Sequence, residues 1–352
     1  MAPELPQDFN SGSAVPDMVA VGSDNIPQAS WLKERNIDTA ARIRLIKLSH
    51  VWYQHPDLNE ITTFLTDFGM TVAKKTDNEV WYRGYGPDNY VYHATKGDKR
   101  FLGGTFEVAT LEDLQRAAEL PGASEIRDLK DAPGGGQIVT VPDPEGIPCN
   151  LIFGQKPPAP RHPPEILALN YGESKGRVRK FQRFQPGPAA VYKLGHFGIC
   201  TTKYEEMLTF YTKTFNIVPS DFIYVPNDGK KQVVTTFAHL DLKSQAVDHH
   251  SFFLSANPTT HVHHCSFEVH DYDTQQLGHQ WLAEKGYKLV WGLGRHVLGS
   301  QIFDYWWDTT GNMVEHYADG DLVTSETPIA YVAAGHESLA VWGPELPSDF
   351  LA

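Results

Sequence analysis

Cysteine is scarce in this chain, and positive charge is in deficit. The three cysteines, Cys149, Cys200 and Cys265, occur among 352 residues without CxxC spacing, so neither a disulfide framework nor a cysteine-based zinc site is expected, and we predict buried thiols. Lys and Arg number 30 against 43 Asp and Glu, which gives a formal net charge of −13. This balance argues against a nucleic-acid-binding surface.

Long apolar runs are also missing. No stretch approaches about 18 consecutive apolar residues, and the N-terminus has no basic segment followed by an apolar one. The sequence therefore predicts no membrane segment and a cytoplasmic location. With 41% hydrophobic and 21% charged residues, the chain has the composition of a globular enzyme that acts on a small molecule.

An internal repeat organises most of the chain. The paired segments are 44–70 with 191–217, 101–122 with 262–286, and 139–154 with 302–319. In each half, apolar runs of period 2 alternate with helical patterns of about 12 residues, which predicts a strand–helix–strand–strand–strand unit that occurs twice per half. We therefore predict an α+β fold of two tandem domains, each made of paired βαβββ modules.

The repeat divides the chain into five parts. They are an N-terminal arm (1–42), an N-terminal domain (43–155), a connector (156–190), a C-terminal domain (191–320) and a C-terminal tail (321–352). One short helix is predicted in the arm, from about Ser30. Prolines stiffen the start of the connector, and the tail is predicted to be irregular.

Three strand-like segments of the second half suggest a metal site. They carry His196, His264 and Glu315, which fall in three separate elements. Two neutral imidazoles and one carboxylate on one face of a metal ion leave three positions open, as in non-haem iron(II) oxygenases. His263 is an alternative to His264, but alignment of the repeated segments favours His264.

The first half lacks this set of ligands. His50, Gly103 and Asn150 stand at the corresponding positions, and this combination cannot hold a ferrous ion. We therefore predict that the first half is a structural copy and that the second half carries the metal. Glu268 corresponds to Glu107 of the metal-free half, so we predict a structural role for it.

Six features of the second half agree in residue type and spacing with a known family. They are the segments LGHFGIC, FYTKTFNI, HHSFFLSANPTTHVHHCSFEV and GNMVEHY, the GRH segment that ends at His296, and Tyr305. Over residues 42–325 the chain resembles the type I extradiol ring-cleaving dioxygenases of the vicinal oxygen chelate superfamily. Asp304 and Thr309 depart from the family's usual apolar residue and proline, which leaves the active-site loop and the substrate open.

The resemblance implies a fold, a reaction and partners. It implies two tandem vicinal oxygen chelate domains that form an open, barrel-like funnel around iron(II), Fe(2+), or manganese(II), Mn(2+), as in a few members. It also implies cleavage of a catechol by O2, with both oxygen atoms incorporated into a muconic semialdehyde-type product. The partners would be a small catecholic substrate and further copies of the chain, in a dimer or larger homo-oligomer.

The resemblance assigns roles around the metal as well. His250 is similar to the family's acid–base histidine, with His249 as the less favoured alternative, and a histidine suits proton transfer near neutral pH. His296 and Tyr305 match the family's substrate-side histidine and tyrosine. Nearby aromatic residues suggest a pocket that takes more than one ring, and the candidates are Phe197, Phe222, Phe252, Trp291 and Trp307.

Two functions from other classes stay open for the same fold. Metal-dependent lyases and isomerases of glyoxalase type usually draw their ligands from both halves, which Gly103 and Asn150 disfavour. Ligand-sequestering proteins of bleomycin-resistance type generally lack the three metal ligands and the set that His250, His296 and Tyr305 form here.

Overall fold

The computed structural model describes residues 24–159, 161, 163–335, 339–348 and 350. Within these residues the chain begins with β1 (Asp24–Ile26) and α1 (Gln28–Glu34), and four βαβββ modules then follow one another. The predicted α+β fold of two tandem domains is confirmed. The helix predicted in the arm is present as α1.

The first half builds an eight-stranded sheet. Its elements are β2 (Leu45–His55), α2 (Leu58–Asp67), β3 (Thr71–Lys75), β4 (Glu79–Arg83), β5 (Tyr92–Lys96), β6 (Arg100–Val108), α3 (Leu111–Ala118), β7 (Arg127–Asp128), β8 (Gln137–Pro142) and β9 (Pro148–Phe153). The strands lie in the order β3-β4-β5-β2-β6-β9-β8-β7. The first strands of the two modules, β2 and β6, thus pair at the centre of the sheet.

The second half repeats this plan in a larger sheet. Its elements are β10 (Val191–Thr201), α4 (Tyr204–Thr214), β11 (Ile217–Asn227), β12 (Lys230–Leu240), β13 (Val247–Asp248), β14 (Phe252–Ala256), β15 (His261–Val269), α5 (Tyr272–Glu284), β16 (Leu289–His296), β17 (Ile302–Trp307), β18 (Met313–Ala318), β19 (Leu322–Val323), β20 (Ile329–Ala333) and β21 (Ala340–Trp342). The strand order is β1-β20-β11-β12-β14-β10-β15-β18-β17-β16-β21, and β13 pairs with β19 separately.

The C-terminal tail is not irregular, so that prediction was wrong. β20 pairs with β11 and with β1, and β21 pairs with β16. The arm and the tail together therefore extend both edges of the second sheet. These strands escape a periodicity analysis because they span only five and three residues.

Side-chain caps and apolar faces coincide at α2, α3 and α5. Asp57 accepts hydrogen bonds from the backbone N–H groups of Asn59 and Glu60 and so caps α2. Ile61 and Leu65 lie one turn apart on its buried face. Such caps fix where each helix leaves its strand, which sets the spacing of the modules.

The two halves share one hydrophobic core. Phe197 on β10 contacts Phe101 and Phe106 of the first half, and Asn216 exchanges hydrogen bonds with both backbone groups of Leu45. The first half is thus a structural support for the second. All three cysteines are free and buried, as predicted. In the part of the chain described, no helix has the length and apolar character needed to cross a membrane.

Candidate metal centre

Three buried side chains converge at the centre of the second sheet. His196 lies on β10, His264 on β15 and Glu315 on β18, which are neighbouring strands. The two Nε2 atoms are 3.0 Å apart. They lie 3.2 Å (His196) and 3.4 Å (His264) from Oε2 of Glu315. The structure therefore brings the three predicted ligands together.

The strand register explains this convergence. His196 and Glu315 both stand opposite Ser266, on either side of β15. Side chains two residues apart on a strand point to the same face of the sheet, so His264 lies on the face of Ser266. His196, Ser266 and Glu315 lie side by side across the three strands, and His264 lies two residues from Ser266 on β15. The three candidate ligands therefore point to the same face of the sheet.

The first half shows the same register with different side chains. His50 and Asn150 stand opposite Thr105 on β6, and Gly103 lies two residues before Thr105. Gly103 has a φ of +103°, and a Cβ atom there would lie 1.9 Å from the carbonyl oxygen of Pro148. No side chain fits at this position, so the first half has no counterpart of His264.

The hydrogen positions at His264 favour a free Nε2. Nε2 of His263 lies 2.7 Å from the carbonyl oxygen of Phe350, to which it must donate. Burial lowers the pKa of His263 to about 3, so the ring is neutral and its Nδ1 accepts. Nδ1 of His264, 2.7 Å away, is then the donor. This leaves the Nε2 lone pair of His264 at the centre of the cluster, as a metal ligand requires.

The charges of the cluster also fit a divalent cation. Burial alone would raise the pKa of Glu315, but His196 and His264 hold it well below its usual range. Burial lowers the pKa of His196 to about 4, so this imidazole is neutral. An ionised, buried carboxylate beside a neutral imidazole is the protonation state in which such groups bind metal.

Three further predicted residues surround the cluster. The ring of His250 lies on that of His196, with 4.1 Å between centroids. Nε2 of His296 is 2.9 Å from the hydroxyl oxygen of Tyr305 and 3.9 Å from Oε1 of Glu315. Burial, and then the neighbouring Glu315, raises the pKa of Tyr305 well above its usual value, so Tyr305 keeps its proton.

An apolar cavity of about 340 Å³ opens beside these residues. Its wall includes the rings of Phe237, Phe253, Trp291 and Phe350. Besides the histidines, its polar side chains are hydroxyl and amide groups, and none of the lining residues in the described part of the chain is Lys, Arg, Asp or Glu. The cavity thus suits an uncharged organic molecule.

The predicted pocket residues were mostly wrong. Trp291 lines the cavity, whereas Phe197, Phe222, Phe252 and Trp307 are absent from its described wall. Because His196 faces the cluster, alternation turns Phe197 to the opposite face, where it meets Phe252 at 5.1 Å between centroids. The same alternation, applied to each strand separately, would have excluded Phe197.

Phe222 and Trp307 have other packing partners. Phe222 contacts Trp31 on α1 and Tyr331 on β20. Trp307 is half-buried at the edge of the cluster around Phe303. The sequence alone could not show that these two side chains lie away from the cavity, because their packing depends on the tertiary structure.

Asp221 is a site residue that sequence reasoning missed. It lies on β11 and its Oδ2 is 2.6 Å from Nε2 of His249, whose ring in turn contacts His250. A buried carboxylate within the apolar segment 217–225 was the available signal, since buried carboxylates are normally paired.

The second half also matches a known family model. Residues 193–316 match the Glyoxalase/Bleomycin resistance protein/Dioxygenase superfamily. The second half of the chain is thus similar to the domains of this superfamily. The matched segment of the superfamily domain includes His196, His264 and Glu315.

Similarity to individual relatives extends beyond the superfamily domain to both halves. Metapyrocatechase 2 of Cupriavidus necator is 28% identical over 335 residues, which cover 90% of this chain and 96% of the relative. Biphenyl-2,3-diol 1,2-dioxygenase of Paraburkholderia xenovorans is 25% identical over 312 residues, which cover 86% and 96%. The predicted resemblance to extradiol dioxygenases is confirmed.

Solved structures share the fold. Homoprotocatechuate 2,3-dioxygenase from Brevibacterium fuscum, in complex with 3,4-dihydroxyphenylacetate, matches with a TM-score of 0.74 and 16% identity, over 89% of this chain and 93% of that chain. The Mn(II)-bound glyoxalase from Novosphingobium aromaticivorans matches with a TM-score of 0.72 and 19% identity, over 88% and 95%. Each of these two structures thus shares the fold of this chain over most of its length.

Proposed function

We propose that the protein is a metal-dependent extradiol dioxygenase that cleaves the ring of a catechol with O2. The observation that carries this proposal is the cluster of His196, His264 and Glu315 beside a cavity that His250 and Tyr305 also line. The relatives named metapyrocatechase and biphenyl-2,3-diol 1,2-dioxygenase support it over nearly the whole chain.

The three clustered side chains are the proposed metal ligands. A divalent ion bound there supplies a Lewis-acidic centre with open positions for a catecholate and for O2. We propose iron(II), with manganese(II) as the alternative, because imidazole and carboxylate donors suit both ions. The Mn(II)-bound structural neighbour supports a manganese alternative for this fold.

His250 is the proposed acid–base residue. Burial lowers its pKa well below the usual value, so the ring is neutral and can accept a proton from a catechol hydroxyl. The same nitrogen can return that proton to the leaving oxygen when the ring opens. General acid–base catalysis of this kind contributes about 10² to 10⁴ in rate.

Tyr305 and His296 form the proposed substrate-side pair. Nδ1 of His296 lies 2.8 Å from the carbonyl oxygen of Leu339, to which it must donate. Nε2 of the neutral ring therefore accepts from the hydroxyl of Tyr305. The lone pairs on the Tyr305 oxygen are then free to accept a hydrogen bond from the substrate.

The cavity favours a catechol that carries an uncharged apolar substituent. A carboxylate on the substrate would be buried among apolar rings without a cationic partner in the described wall, and burying an unpaired charge is costly. A second ring, in contrast, gains from apolar burial. We therefore expect biphenyl-2,3-diol to be cleaved with a higher kcat/KM than 3,4-dihydroxyphenylacetate.

Several features outside the site are proposed on the family resemblance. These are a cytoplasmic location, a homo-oligomer, and division into an N-terminal domain at 43–155 and a catalytic domain at 191–320, joined by the connector 156–190. The break in regular strands between β9 and β10 supports these boundaries. Size-exclusion chromatography with light scattering tests the homo-oligomer.

Oxygen uptake tests the proposed function. The protein is loaded anaerobically with iron(II) and mixed with catechol, biphenyl-2,3-diol or 3,4-dihydroxyphenylacetate, while oxygen and the absorbance of the yellow ring-opened product are followed. One O2 consumed per diol with a yellow product is expected. Stoichiometric metal without uptake on any diol would favour a non-oxidative lyase or isomerase of the same fold.

A further inference from the structure

We propose that Asp221 and His249 position the proton of His250 by fixing the tautomers of both imidazoles. Asp221 and His249 are positioning residues in this proposal, and His250 is the group that meets the substrate. The arrangement of hydrogens follows from geometry, whereas its use in catalysis rests on the proposed function.

The three side chains form a continuous buried chain. Oδ2 of Asp221 lies 2.6 Å from Nε2 of His249, and Nδ1 of His249 lies 3.1 Å from Nδ1 of His250. The exposed fractions are 7%, 6% and 3%. At these burials water does not compete for the ring nitrogens, so the partners within the chain decide where the hydrogens lie.

With both imidazoles neutral, the contacts among Asp221, His249 and His250 allow only one placement of the ring hydrogens. An ionised carboxylate only accepts hydrogen bonds, so Nε2 of His249 carries the hydrogen. Nδ1 of His249 then holds a lone pair and must accept from Nδ1 of His250. The remaining ring nitrogen, Nε2 of His250, is left with its lone pair beside the cavity that His250 lines. It is thereby ready to accept the catechol proton.

Contacts to its backbone and ring hold His249 in place. The hydroxyl of Ser220 donates to the backbone carbonyl of His249, and the backbone N–H of His249 donates to the carbonyl of Asp321, 2.9 Å away. Gly299 lies so close that a Cβ atom there would be 2.9 Å from Nδ1 of His249. The ring is therefore confined on the side that faces His250.

The first half provides an internal comparison. Tyr92 pairs with Val51 as Phe252 pairs with Phe197, so position 90 corresponds to 250. The ring of Tyr90 lies 4.3 Å from that of His50, close to the 4.1 Å between His250 and His196.

The hydrogen-bonded chain itself is missing from that copy. Position 89 corresponds to 249, and the bulges of β3 and β11 make position 74 correspond to 221. These positions hold Asn89 and Lys74. A ring-to-ring contact is thus retained in both halves, whereas of the two sets of positions compared only the one beside the proposed ligands has Asp, His and His. The Asp221–His249–His250 hydrogen bonds are therefore a feature of the proposed site and are not required by the fold, which the first half adopts without them.

Nitrogen NMR tests the tautomers directly. The full-length protein, labelled with ¹⁵N-histidine and loaded with diamagnetic zinc(II), is assigned with His249→Asn and His250→Asn variants. The expected result is a protonated Nε2 and an unprotonated Nδ1 in His249, and the reverse in His250. The opposite pattern in His250, or a His249 protonated at both nitrogens, would overturn the proposal.

Kinetics of Asp221 variants test the use of this arrangement. Asp221→Asn should lower kcat by about 10- to 100-fold while the KM for the diol and the metal content stay within about twofold, since only proton transfer is impaired. Asp221→Glu should recover part of the rate, because its carboxylate only accepts, whereas the amide of Asp221→Asn can also donate and no longer selects one tautomer of His249. An unchanged kcat in Asp221→Asn would contradict a positioning role.

Asp248→Asn is the matched control. It removes a carboxylate next to His249 in sequence, but Asp248 pairs with Lys193, and its loss should leave kcat unchanged. An equal loss in both variants would indicate a general charge effect and would also overturn the proposal. If wild-type protein consumes no oxygen with any diol, the proposed function fails, while the nitrogen shifts still decide the tautomers.

Discussion

At the residue scale, the position of single hydrogens distinguishes the adjacent histidines of each pair. His263 and His249 both accept from their neighbours through Nδ1, and each donates its single ring hydrogen, on Nε2, to an oxygen outside the pair. The sequence favoured His264 and His250 within these two pairs, but it could not show which nitrogen of each ring carries the hydrogen. That choice depends on Phe350 and Asp221, which lie far away along the chain.

His263 is expected to support the metal without binding it. His263→Ala should weaken metal affinity about 10- to 100-fold, because His264 loses the acceptor that fixes its tautomer. His261→Ala is the control, since His261 lies on the same strand and bonds to Thr259 near the surface. Metal titration of both variants checks this, and equal affinities would argue against the role of His263.

Loss of a ligand should differ from loss of the acid–base group. His196→Ala and His264→Ala should each lose bound metal and oxygen uptake together, because two remaining donors hold a divalent ion poorly. His250→Phe should retain the metal and lose turnover. Metal analysis alongside oxygen uptake separates the two classes, and full activity in His250→Phe would move the acid–base role to His249.

Asp143 should make stability depend on pH in the acidic range. Burial raises its pKa to about 6, although Tyr211 and two backbone N–H groups bind the ionised form. Since the folded state holds this proton more tightly than the unfolded state, stability falls as the pH rises from about 4 to about 6.

An Asp143→Asn variant isolates that effect. Its free energy of unfolding, relative to wild type, should increase by about 2–3 kcal/mol between pH 4 and pH 7, because the amide carries no charge to bury. Urea unfolding at both pH values measures the difference. A constant difference between the two proteins would contradict a raised pKa.

At the element scale, periodicity predicts the modules but not the edges of the sheets. The four βαβββ units were foreseen because each contains alternating strands and one helix with an apolar face, which has a side-chain cap in three of the four. β20 and β21 were missed because they are short and their partner strands lie far away along the chain. The cavity wall was missed for a related reason, since Phe350 and Leu339 reach it from that tail.

Gly103 should be intolerant of any side chain. Gly103→Ala combines an unfavourable positive φ with a Cβ atom 1.9 Å from a backbone oxygen, and we expect a loss of stability above about 3 kcal/mol. Gly146 has a φ of +79° with no atom within 4 Å, so Gly146→Ala should cost only about 1 kcal/mol. Equal losses in urea unfolding would show that packing at Gly103 is unimportant.

At the scale of the whole molecule, the first half shares a hydrophobic core with the half that carries the candidate metal cluster. The duplication, the absence of the candidate ligands from the first copy and the clustering of His196, His264 and Glu315 were predicted from the sequence, and the resemblance added His250, His296 and Tyr305. The shared core could not, because Phe197 and Asn216 meet partners more than 90 residues away. The absence of charged side chains from the described cavity wall likewise could not be predicted, because its residues come together only in the assembled sheet.

Asn216 should couple the two halves. It bonds to the backbone N–H and carbonyl of Leu45 and to the carbonyl of Asp241. Asn216→Ala should lower the free energy of unfolding by about 2–4 kcal/mol, because buried backbone groups lose their partners. Differential scanning calorimetry should still show one transition, and an unchanged stability would argue against the coupling.

Metal stoichiometry tests the central claim, that one metal site lies in the second half and none in the first. Wild-type protein, loaded anaerobically and desalted, should contain one divalent ion per chain. Glu315→Ala, in which the buried carboxylate is lost, should contain close to none. Two ions per wild-type chain, or one ion retained in Glu315→Ala, would contradict the assignment of His196, His264 and Glu315 as the metal ligands.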